Sequence, residues 1–155
     1  MNTIIKNKSN LESDHTFLED YWNRYHEILF KNRDDNQLLK FRDSLKHTAE
    51  AGGKLIFVGN GASASLASHA ATDFTKQANI PSIALNDHNL ITALSNDYGY
   101  EKWIEKALSY YASSKDRVVF ISVSGNSPNL VNGLNYAISK NINTSSLSGS
   151  SSDNY

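Results

Sequence analysis

The sequence predicts an α/β domain: a three-layer αβα sandwich with a parallel sheet, preceded by two N-terminal helices. Three observations carry this. Beyond Gly53, short continuous apolar runs alternate with segments of helical periodicity. The runs are only strand-length and rich in Val, Ile and Phe, as strands covered on both faces are. Two of them, Lys54-Leu55-Ile56-Phe57-Val58 and Arg117-Val118-Val119-Phe120-Ile121, lead straight into small polar turns that open helices.

Taken in order, residues 14–30 place Phe17, Leu18, Tyr21, Trp22, Tyr25, Ile28 and Leu29 at helical spacing, which predicts an amphipathic helix with a wide apolar face. The polar stretch 32–35 punctuates it. A second helix over 36–51 carries Leu38, Leu39, Phe41, Leu45 and Ala49 and stops at Gly52-Gly53. These helices pack either on the chain's own core or on another subunit. A strand at 54–58, a helix at 63–77 and a strand at 82–85 follow. Helical segments at 88–94 and 100–111, a strand at 117–122, a helix at 128–139 and a last strand at 143–147 complete the pattern. The tail from Ser145 to Tyr155 is serine-rich, and no internal repeat is present.

At 155 residues the chain is read as a single domain able to bury a core unaided. It has no cysteine, which excludes disulfides, thiolate catalysis and cysteine zinc sites. Its apolar runs fall far short of the roughly 20 residues of a membrane span. The stretch 1–8 has no sustained apolar region and is a poor signal peptide, so the expected location is cytoplasmic. The net charge is −1 with scattered basic residues, which argues against nucleic-acid binding.

Ligands of parallel α/β sheets bind outside the carboxyl ends of the strands, where both small-residue turns are expected. In Gly59-Asn60-Gly61-Ala62-Ser63 the glycines allow close backbone approach and positive φ, and Ser63 can cap the next helix while facing the pocket. Such a turn also serves as a plain strand-to-helix connection. It has neither a P-loop lysine nor dinucleotide-fingerprint spacing. In Ser122-Val123-Ser124-Gly125-Asn126-Ser127-Pro128, Ser122 and Ser124 alternate toward one side, and Ser127 with the helix N-terminus closes over the same point. Neutral donors and a helix dipole suit a phosphate, although serine turns are ordinary helix caps as well. His69 and Asp73 stand four apart on one helix face, a spacing for two metal ligands, an acid and a base, or a surface hydrogen bond. Asn96-Asp97-Tyr98-Gly99-Tyr100 reads as a polar turn that either faces a ligand or caps the helix beginning near Tyr100.

Together with Ala51-Gly52-Gly53-Lys54, these motifs fall in the order found in the sugar isomerase (SIS) domain, and from about Leu38 to Gly149 the chain resembles the phosphoheptose isomerase group of that family. The resemblance implies an SIS-type, flavodoxin-like fold and interconversion of sedoheptulose 7-phosphate with a heptose 7-phosphate. A place in lipopolysaccharide or capsule heptose biosynthesis goes with it. It also implies a homotetramer whose neighbouring subunits complete each site, which gives the N-terminal helices a use. Substrate-binding positions carried over are Asn60, Gly61, Ala62, Ser63, Asn96, Asp97, Ser122, Val123, Ser124 and Ser127. His69 and Asp73 are carried over as catalytic residues and as ligands of an incomplete zinc site.

Four departures qualify the match. Ala62 stands for a glycine, Val123 for a threonine, and Asp73 for a glutamate whose carboxylate reaches one methylene further. The fourth concerns the family's further strand and C-terminal helix, which carry a glutamine and a histidine of the site and have no counterpart before Tyr155. The expected reaction is aldose–ketose isomerisation: Ser63, Ser122, Ser124 and Ser127 grip phosphate, Asn60 and Asp97 orient hydroxyls, and Asp73 transfers the proton. The alternative is an SIS domain that binds a phosphosugar or a protein without turnover.

Overall fold

The computed structural model describes residues 8–31 and 33–149, with side chains from residue 13 onward. Residues 1–7 of the stretch read as a poor signal peptide, Asn32 of the polar punctuation and the end of the serine-rich tail at 150–155 lie outside the described residues.

Two compact units divide the chain, residues 1–40 and 41–155. The first holds α1 (Lys8–His26), which passes into a π-helical turn (Glu27–Lys31). The helix runs on to Lys31, close to the predicted end, and starts earlier than the apolar spacing begins. Its apolar residues form an aromatic stripe, with Phe17 stacked on Tyr21 and Tyr21 edge-on to Trp22 at 5.3 Å between ring centres. Phe17, Trp22, Ile28 and Phe30 of that unit are exposed. The helix α2 (Asp35–Glu50) begins there, with Asp34 capping it by accepting the N–H of Gln37.

From Phe41 onward the order is β1 (Leu55–Gly59), α3 (Ala62–Lys76), β2 (Ser82–Ala84), α4 (His88–Tyr98), a 3-10 turn (Tyr100–Lys102), α5 (Trp103–Tyr111), β3 (Arg117–Ser122), α6 (Pro128–Ser139) and β4 (Asn143–Ser148). The sheet is wholly parallel in the order β2-β1-β3-β4. Alternation along the central strands sends Ile56, Val58, Val118 and Phe120 to one face, where Trp103, Ile104, Leu108, Leu130 and Ala137 of α5 and α6 cover them. Leu55, Phe57, Val119 and Ile121 face the other way, against Leu45 of α2 and Ala67 and Ala71 of α3. This is the predicted three-layer arrangement. The chain leaves β1 toward β2 on one side and β3 toward β4 on the other, so the switch point falls between the carboxyl ends of β1 and β3.

One predicted boundary is corrected. Asn96, Asp97 and Tyr98 are not a turn between helices but the last turn of α4, which ends only at Gly99, with φ +86°. Leu90, Ile91 and Leu94 anchor that helix in the core, and a glycine able to take left-handed backbone is what stops it.

At the amino ends of β1 and β3 the buried carboxylate of Asp116 ties the strands together. It accepts the backbone N–H of Lys54 at 2.9 Å and the Lys54 ammonium at 2.7 Å, and Ser113 adds its own N–H at 2.8 Å and its hydroxyl at 3.0 Å. Burial alone would push the Asp116 carboxyl up, but the hydrogen bonds from Lys54 and Ser113 outweigh it and hold the group below its ordinary value.

Candidate functional site at the switch point

The turns after β1 and β3 meet around an open cavity of about 240 Å³, lined by Asn60, Ser63, Ile121, Ser122, Val123, Ser124, Ser127 and Leu130. Two helices begin at it, α3 and α6, so their positive dipole ends converge on a space bordered by hydroxyls. Every polar lining side chain is neutral.

Local sequence explains the geometry of the first turn. Gly61 takes φ +54° and is itself the N-cap of α3. Gly59 serves a different need from the positive φ expected of it: a Cβ there would lie 2.7 Å from the carbonyl carbon of Ser63, so only glycine lets the helix start so close to the strand. Ser63 lies inside the first turn of α3 and does not cap it, contrary to expectation, and its hydroxyl borders the cavity. Ala62 is helical, so replacing glycine there costs no strained backbone.

The second turn is held by its own serines. Ser122 Oγ accepts the N–H of Gly125 at 3.1 Å, and Ser124 Oγ accepts that of Asn126 at 3.3 Å. A hydroxyl that accepts from the backbone keeps its O–H to donate outward. Ser127 occupies the N-cap of α6 without a side-chain capping bond, with Pro128 at the first helical position. The N–H of Gly149 donates to the Val123 carbonyl at 3.1 Å, tying the turn to the end of β4.

The remaining predicted residues fall elsewhere. Gly61 and Ala62 shape the turn through their backbone and do not line the cavity. Asn96 and Asp97 are exposed near the end of α4, bonded to each other at 3.1 Å, and do not line it either. His69 and Asp73 do pair, Nε2 to Oδ2 at 3.3 Å, but on the exposed flank of α3. His69 opens onto a separate hollow with Ser65, Ser68, Thr72 and Asn86. Among the described residues no three His, Cys, Asp or Glu side chains stand together as a metal site. The pair alone therefore does not fit zinc, which needs three or four ligands.

Two residues to which the sequence assigned no site role of their own enter here. Asn129, in the first turn of α6, is buried and forms a reciprocal amide pair with Asn60: Asn60 Nδ2 donates to Asn129 Oδ1, and Asn129 Nδ2 donates to Asn60 Oδ1, both at 2.9 Å. Tyr100 adds its hydroxyl to Asn60 Oδ1 at 3.3 Å. The Asn60 side chain, which borders the cavity, is thus tied to α6 and to Tyr100 through its oxygen and one Nδ2 hydrogen. The signal in the sequence for Asn129 was its place as the last residue of the motif at 121–129, directly ahead of the apolar positions Leu130 and Val131.

The chain is thus a parallel α/β domain with two helix N-termini and two hydroxyl-bearing turns gathered at its switch point. The chain belongs to the SIS domain family, whose profile matches residues 17–149. It is similar to a phosphoheptose isomerase of Nitratidesulfovibrio vulgaris, 39% identical over 108 residues that make up 66% of this chain and 52% of the relative. A phosphoheptose isomerase of Aliarcobacter butzleri is 37% identical over 108 residues, 66% of this chain and 57% of that one. The chain thus spans a little over half the length of these curated relatives. The fold matches that of a solved phosphoheptose isomerase from Francisella tularensis with a TM-score of 0.79 at 24% identity, covering 92% of this chain and 76% of that one. Among the described residues no helix is long and apolar enough to cross a membrane.

Proposed function

We propose that the chain is the sugar-phosphate-binding part of an aldose–ketose isomerase of the phosphoheptose type, acting on sedoheptulose 7-phosphate. The observation that carries this reading is the cavity at the switch point, where Ser63, Ser122, Ser124 and Ser127 border the space onto which two helix N-termini converge. A phosphate there gains hydroxyl donors and helix dipoles without a fixed counter-charge. The similarity to phosphoheptose isomerases supplies the substrate class.

Isomerisation moves a proton between C1 and C2 of the open-chain sugar through an enediol, so a base must reach the carbon-bound proton while the far end of the sugar is held. Asp73 is the proposed carboxylate. It sits ten residues beyond Ser63 on α3, about 15 Å along the helix axis, outside the cavity's lining. We infer that it serves a site completed by a neighbouring copy in a homotetramer, with the aromatic stripe of α1 as a contact surface between copies. His69 beside it is a zinc ligand in this reading only if further donors come from outside the described residues or from another copy. Heptose biosynthesis in the cytoplasm is the corresponding setting.

A second reading, a phosphosugar- or protein-binding SIS domain without turnover, is favoured by the exposure of the His69–Asp73 pair away from the cavity. One experiment separates the two. Purified protein is incubated with sedoheptulose 7-phosphate in heavy water, with and without zinc. Deuterium entering C2 of the product above an Asp73→Ala control supports the isomerase. Thermal stabilisation by the sugar phosphate without incorporation supports the binder, and neither result would remove the sugar phosphate from the proposal.

A further inference from the structure

We propose that Asn129 is a positioning residue that locks the two phosphate-facing turns to each other through the Asn60 amide. The proposal rests on reading the switch-point cavity as a sugar-phosphate site. Asn60 follows the end of β1 and borders the cavity, whereas Asn129 is the second residue of α6 and only 2% exposed. Their reciprocal hydrogen bonds close a ring between two side chains, and that ring spans the gap between the first turn and the helix that ends the second. The backbone ladder below reaches only to Gly59 beside Ile121 and does not extend to these turns. The amide pair is therefore the direct side-chain bridge from Asn60 to α6, with Tyr100 bracing Asn60 Oδ1 from a third element.

Both amides depend on the pair for their polar groups. Each Asn129 group so engaged is buried, where an unpaired donor or acceptor is costly, so the pair resists opening. With Asn60 Oδ1 accepting twice and one Nδ2 hydrogen given to Asn129, a single side-chain N–H of Asn60 is left for a ligand. Asn129 touches no lining surface of the cavity, so it acts through Asn60 and through the spacing of Ser63 from Ser122, Ser124 and Ser127.

The test is a double-mutant cycle read in binding. Asn129→Ala and Asn60→Ala are each expected to weaken sedoheptulose 7-phosphate affinity about tenfold by calorimetry, near the upper end for one lost hydrogen bond. The double variant is expected to bind no worse than Asn60→Ala alone. A merely structural Asn129 would lower the melting temperature while leaving affinity unchanged, or would add its full effect to that of Asn60→Ala. Either result overturns the proposal. Asn129→Ser, small and polar, replaces Asn129→Ala should the latter not fold. Should the unaltered protein take up no sugar phosphate, the functional reading fails and positioning is judged by hydrogen exchange without ligand. Asn129→Ala is then expected to speed exchange across 61–65 and 124–127 together. Asn132→Ala, on the same helix and bonded to the Glu101 carbonyl, is expected to leave both segments protected. Unchanged exchange at 61–65 in the Asn129 variant rejects the positioning role.

Discussion

Replacing Asp116 separates the stability of this fold from the chemistry of its site. Its carboxylate takes four hydrogen bonds, and its side chain is 4% exposed against 31% for Lys54. Asp116→Ala leaves the N–H groups of Lys54 and Ser113 and the Lys54 ammonium without their acceptor. Removing one partner of a buried pair costs about 3–5 kcal/mol. For a chain of this size each kcal/mol moves the melting temperature by about 2–4 °C, which predicts a fall of about 6–20 °C. Asp116→Asn retains an oxygen for the Lys54 N–H but turns an NH₂ toward the donors of Ser113 and Lys54, so it is expected to lose most of the same stability. The pH dependence has a definite sign. Because the folded carboxyl titrates below its ordinary value, its contribution is complete above the unfolded value of about 3.9 and disappears as pH falls through the lower folded value. Thermal unfolding followed by circular dichroism from neutral pH into acid is the assay. Asp116→Asn should melt earlier at neutral pH and lose less on acidification, with sugar-phosphate affinity measured below the transition unchanged. An Asn variant that melts with the parent, or an acid limb of unaltered slope, would refute the reasoning.

Other perturbations follow from the same structure. Ser124→Ala and Ser127→Ala are each expected to weaken sugar-phosphate binding by about three- to tenfold in calorimetry, and unaltered affinity in both removes the cavity as the phosphate site. Val123→Thr adds a hydroxyl to a side chain that is 76% exposed on the cavity wall, so it is expected to leave the melting temperature in place and tighten phosphate binding by up to about fivefold. Gly133→Ala would set a Cβ 2.4 Å from Ile104 Cγ2, where α6 crosses α5. It is expected to cost about 1–3 kcal/mol in urea unfolding, and Ile104→Leu, which removes the offending branch, is expected to recover part of that.

The sequence made the layers and the rim legible because both are written locally. Strand-length apolar runs ending in Gly-Asn-Gly and Ser-Val-Ser-Gly announce buried strands and the helices that leave them, with no knowledge of distant partners. His69 and Asp73 were also found as a pair, since helical spacing alone brings them together. What that spacing could not tell was which way α3 turns that face, and it turns it away from the cavity. The turn read at Asn96, Asp97 and Tyr98 was misplaced for a related reason: these residues sit at the end of a helix whose length is set by Leu94 packing into the core and by Gly99 stopping it. Asn129 entered only as the end of the serine-turn motif, with no role of its own, and Asp116 was missed altogether. Each gains its meaning from a partner more than 60 residues away in the chain, Asn60 and Lys54, and no local pattern distinguishes them from other surface-type polar residues.

The wall of the switch-point cavity offers dipoles and hydroxyls but no ionised side chain. Attraction between formal charges at a surface fades as the Debye length shrinks, whereas short directional contacts inside a cleft are screened far less. If the proposed sugar phosphate sits there, such a rim would give up long-range capture of the anion in exchange for a grip that changes little between dilute buffer and concentrated electrolyte.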